Sequence, residues 1–79
     1  MVRTQRDWSE TAKRVLKSEL KKRGVTYRDL AERLTQAGSP DTERNISNKI
    51  SRGGFSAAFF FEVLGAIGAK TITIHLEDD

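Results

Sequence analysis

The chain contains no cysteine and a single histidine, His75. Without cysteine there can be no disulfide, no thiolate zinc site and no thiol nucleophile. One imidazole cannot form a histidine cluster. There is no glycine-rich phosphate loop and no metal-ligand spacing. With general base and metal both missing, catalysis has little to stand on, and the expectation is a protein that is not an enzyme and needs no cofactor. No apolar run approaches the length of a membrane span or of a signal peptide's hydrophobic region, so no membrane partner and a cytoplasmic location are expected. Internal repeats, low-complexity tracts and interdomain linkers are also missing. Residues 1–79 therefore read as one small domain. A chain of this size buries a modest fraction of its surface, so further burial by self-association would help it.

What is present is positive charge, unevenly placed. Residues 1–53 carry 13 basic and 7 acidic side chains, a net charge of +6. Residues 54–79 carry Lys70 against Glu62, Glu77, Asp78 and Asp79, a net charge of −3. The positive field belongs to the first two thirds, which favours a polyanionic partner over the ordinary alternative of solvated helix faces.

Four helical segments can be read along the chain. Residues 1–6 are a polar, basic arm, flexible or a short edge strand. Asp7 and Glu10 have capping-box spacing, with Ser9 as an alternative cap. The helix that follows runs to about Arg23, with Trp8, Ala12, Val15, Leu16 and Leu20 on one stripe, Trp8 serving as a lid on the core. Gly24 stops it. Thr26 caps a second helix with Asp29 three residues on; Leu30, Ala31 and Leu34 face inward, and Gly38 ends it. Asp41 or Thr42 caps a third helix, which Gly53 and Gly54 stop. Ser56 caps a fourth, where Phe59, Phe60, Val63, Leu64 and Ile67 share a face and Phe61 falls at its margin.

The third helix, about residues 42–52, carries the most information. Ile46 and Ile50 sit four apart, the spacing that seats one face on a core. With those two inward, Arg44, Asn48 and Ser51 point most directly outward at 100° per residue, and Asn45, Arg52 and Asp41 lie to one side. Arg can bridge guanine O6 and N7, and Asn can pair with adenine N6 and N7. Arg44 and Asn48 are thus the first candidates for base contacts, followed by Asn45 and Arg52. Ser47 and Lys49 suit phosphate. The free N–H groups at the start of the second helix, with Thr26, Tyr27 and Arg28, make a second phosphate site, Tyr27 doubling as apolar cover.

Two fragments carry a resemblance. GVTYRDLAERL and NISNKISRGGFSAAFFFEVLGAIGAK resemble the opening and closing blocks of lambda-repressor-like helix-turn-helix domains, together over most of residues 15–70. The chain is also similar to short bacterial proteins of unknown function that share an SNKISRG-x-FSA block. The resemblance implies a mainly α, four-helix fold in which the second and third helices bind double-stranded DNA. The chain departs from it between Ala31 and Ile46, where fifteen residues separate positions about ten apart in such domains. The extra residues either extend the second helix or lengthen the turn.

Thr71 to Leu76 alternates strictly, with Ile72, Ile74 and Leu76 on one face, and reads as a C-terminal β-strand before the acidic tail 77–79. A lone strand leaves backbone groups unpaired, so it calls for a partner. The N-terminal arm and the same strand of a second copy both qualify. The second is preferred, because Phe61, Ile72, Ile74 and Leu76 all gain burial in a homodimer. The expected function is sequence-specific DNA binding by a small transcriptional regulator. The alternative is a protein-interaction module of the same fold.

Overall fold

The computed structural model describes residues 7–76. Those residues form four helices: α1 (Trp8–Arg23), α2 (Tyr27–Gln36), α3 (Glu43–Arg52) and α4 (Ala57–Ala66). Each start follows from local chemistry. The Asp7 carboxylate accepts the Ser9 and Glu10 N–H groups at 3.0 and 3.4 Å. Thr26 and Asp29 form a reciprocal capping box at the head of α2. Thr42 and Ser56 accept the N–H groups of Asn45 and Phe59. The stops are equally local: Gly24, Gly38, Gly53 and Gly68 all take the left-handed conformation that glycine adopts without steric cost.

Packing is only partly sequential. α1 packs on α3 and α4, and α2 packs on α3 and α4. Their shared interior is Leu16, Leu20, Val25, Leu30, Leu34, Ile46, Ile50, Phe59, Val63, Leu64 and Ile67. α3 is wedged between α1 and α2, with Ile46 and Ile50 wholly buried. Gly53, at the end of α3, meets the start of α1. A Cβ there would lie 2.8 Å from the Ser9 carbonyl carbon and closer still to its oxygen, so only glycine fits. The close approach, as well as the turn, requires it.

Three expectations need correction. Trp8 is not a core lid but 53% exposed, while Thr11 and Glu19 are buried on α1 in its place. Helical angle assigns a residue to a face; it does not say how far along the helix the neighbours reach, and Trp8 opens α1. Glu19 is tolerated because Lys22 and Arg23 lie 3.2 and 3.3 Å from its carboxylate. Second, residues 71–76 form no strand. Ile72 packs against the core, and Thr73, Ile74 and His75 line a groove beside Thr11, Val15 and Ser18 of α1. Alternation expresses a capacity to pair; a ladder also needs a second extended segment alongside. Third, Ile72 is thereby partly committed to its own core, leaving Ile74, Leu76 and Phe61 as the exposed members of the set expected at a dimer contact. The arm 1–6, its proposed pairing and the acidic tail 77–79 lie outside the described residues.

The extra residues between Ala31 and Ile46 are also accounted for. α2 runs to Gln36 and α3 begins at Glu43, leaving a six-residue connection, 37–42, longer than the three or four residues of a tight helix-turn-helix.

Candidate nucleic-acid interface

α3 divides cleanly by side. Its two isoleucines are buried to 0% exposure, and Arg44, Asn45, Asn48, Ser51 and Arg52 are all exposed. The helix offers one wall to the core and a polar wall to solvent, as its four-residue apolar spacing requires. The side chains of Arg44, Asn48 and Arg52 make no hydrogen bond or ion pair among the described residues, so their donors are open to a ligand. Asn45, Asn48, Lys49 and Arg52 line one groove, which Gly54 and Phe55 complete. Asn45, Asn48 and Arg52, three of the residues expected to read bases, are thus gathered in one groove, and Arg44 is exposed on the same helix.

Lys49 is different from its neighbours. Its Nζ lies 2.8 Å from Asp41 Oδ2 and 4.7 Å from the centroid of the Phe59 ring. Asp41 Oδ1 accepts the Thr42 N–H at 2.9 Å, and the Asn45 amide is near enough to act on this carboxylate electrostatically. The Lys49 hydrogen bond, aided by Thr42 and Asn45, holds Asp41 below the usual carboxylate range despite partial burial. Asp41 also lines a groove with Ala31, Glu32, Thr35 and Gln36 of α2. One carboxylate therefore ties the long connection to α3 beside a groove lined by α2. Its role was not legible from spacing, because Asp41 and Lys49 are eight residues apart and only the path of the connection brings them together.

The head of α2 offers a second polar site. Thr26 Oγ1 accepts the Asp29 N–H at 3.1 Å, so its hydroxyl hydrogen is the part left to face a phosphate. Arg28 is exposed and Tyr27 half-buried. Burial pushes the Tyr27 hydroxyl above its ordinary pKa, against the opposing pull of nearby Lys13. Lys17 and Lys21 of α1 border the same groove, together with Leu20, Val25, Thr26 and Tyr27. These lysines belong to α1; their place beside the head of α2 is a tertiary result. Ser47, like Tyr27, is half-buried, whereas Thr26, Arg28 and Lys49 are exposed.

A family model matches residues 8–72, from the first residue of α1 to the last side chain that packs on the core. The chain belongs to DUF6471, a domain of unknown function. The DUF6471 match takes in all four helices and both polar sites, and stops short of Ile74 and Leu76. No curated protein and no solved structure matches the chain. No described helix is long and apolar enough to cross a membrane.

Proposed function

We propose that the chain is a sequence-specific double-stranded DNA-binding protein, a small transcriptional regulator whose α2 and α3 act as a helix-turn-helix pair. α3 enters the major groove. Arg44, Asn45, Asn48 and Arg52 contact base edges; Thr26, Tyr27, Arg28 and Ser47 contact phosphate. The observation that carries this reading is the division of α3: Ile46 and Ile50 fully buried, and an Arg/Asn set exposed on the other side. The surplus of basic over acidic residues in 1–53 supports it by drawing the same face towards a polyanion.

The working unit is a homodimer. Phe61 at 66% exposure, with Ile74 and Leu76 at 41% and 56%, supplies apolar surface that a second copy would cover. A dimer would present two α3 helices to half-sites about one helical turn apart. The same exposed apolar residues favour the second reading, a protein-interaction module.

Selection from random-sequence duplex DNA at physiological salt separates the two. The first reading expects an enriched, twofold-related motif. In that motif Arg44→Ala lowers discrimination at one base by about 1–3 kcal/mol. Arg28→Ala, at the head of α2, instead weakens all sequences alike and flattens the salt dependence. If nothing is enriched, DNA reading is lost and the protein-interaction module takes its place.

A further inference from the structure

The expected set of phosphate contacts includes Lys49, yet Lys49 is the one cation of α3's polar wall that already has an anion. Its Nζ is 2.8 Å from Asp41 Oδ2, and the Asp41 side chain is only 12% exposed. Asp41 also accepts the Thr42 N–H, and lines a groove with Ala31, Glu32, Thr35 and Gln36 of α2. The Lys49 ammonium also lies over the Phe59 ring, a favourable site for a cation. A lysine that exchanged Asp41 for a phosphate would leave a largely covered carboxylate without its cation, and the connection without its tie to α3.

We propose that Asp41 is a built-in counter-anion which keeps Lys49 off the nucleic acid and thereby limits affinity for the backbone. This inference rests on the DNA-binding reading and refines its site. Lys49 becomes a clamp for the 37–42 connection, and Asp41 a positioning residue that acts through Lys49. The long connection then has a use: it delivers an acid to the edge of the reading helix, where it repels phosphate and leaves specificity to Arg44, Asn45, Asn48 and Arg52.

The test measures binding of the full chain to the selected duplex and to a random duplex across a range of salt. Lys49→Met keeps an apolar stem over Phe59 and removes the charge; it should leave the salt slope unchanged. Asp41→Asn frees Lys49 and should steepen the log Kd against log salt slope by about 0.9, one added phosphate contact. It should also tighten binding to the random duplex more than to the selected one, narrowing their ratio. The double variant should return to the wild-type slope. A slope that falls by about 0.9 in Lys49→Met, with Asp41→Asn unchanged, overturns the proposal. A urea-unfolding double-mutant cycle on the same three variants needs no DNA: coupling between the sites supports the clamp, and additivity overturns it. Should neither wild type nor Asp41→Asn bind any duplex, the DNA-binding reading fails, and the cycle still decides whether Lys49 is committed to Asp41.

Discussion

Gly53 is the residue on which α3 turns. Gly24 and Gly53 have nearly the same φ, 68° and 71°, but a Cβ at Gly24 would enter open space and one at Gly53 would strike the Ser9 backbone. Gly24→Ala should therefore cost only the left-handed penalty, about 1–2 kcal/mol. Gly53→Ala adds an overlap with main chain that cannot rotate away, for a total of about 3 kcal/mol or more. Urea midpoints at an unchanged m-value measure the difference, and equal midpoints would refute the close packing of α3 on α1. Asp41 makes a pH prediction at the same scale. Its folded pKa is lowered, so below the ordinary aspartate value of about 3.9 the unfolded chain binds the extra proton more readily. The Asp41 contribution is thus complete above that pH and is lost as pH falls towards the folded value. Lys49 from α3 and Glu32 from α2 share its surroundings. Asp41→Asn should flatten the acid limb of the stability curve, measured by urea unfolding between pH 2 and 6, while near pH 6 it costs the ion pair.

At the level of elements, the caps and spines were readable because they are local. Asp7, Thr26, Thr42 and Ser56 each bond to an N–H two or three residues on, a range that sequence displays directly. Thr26→Ala removes half of the α2 capping box and should lower stability by about 1 kcal/mol. Ile46→Ala empties a fully buried site beneath the polar face of α3 and should cost about 2–5 kcal/mol. Thermal unfolding followed by circular dichroism ranks the two, and the reverse order would mean that α3 is not anchored as described. What was not readable were the contacts between elements. Trp8 lies on the right stripe and at the wrong end of it. The 71–76 segment alternates as a strand does, yet lies beside α1 with no ladder.

For the whole molecule, the open questions are assembly and charge. If the exposed Phe61, Ile74 and Leu76 form a subunit contact, light scattering at micromolar concentration should give twice the chain mass, and Phe61→Glu with Leu76→Glu should return it to a monomer without loss of helix content. A monomeric mass for the unaltered chain would remove the dimer. The basic face belongs to this scale too. Lys17 and Lys21 come from α1, Thr26 and Tyr27 from the head of α2, and they meet only because the chain folds back at Gly24.

The residues alone determined the four helices, their caps and glycine stops, and the side of α3 that faces the core. All of these depend on interactions within a few residues of chain: spacing of 3.6 per turn, a side chain bonding the next turn, a left-handed glycine. Only the tertiary structure decided which helices pack together, that Gly53 must clear Ser9, that Trp8 stays exposed, and that Asp41 reaches Lys49. These rest on the direction the chain takes after each turn, and a six-residue connection such as 37–42 has no local pattern that dictates it.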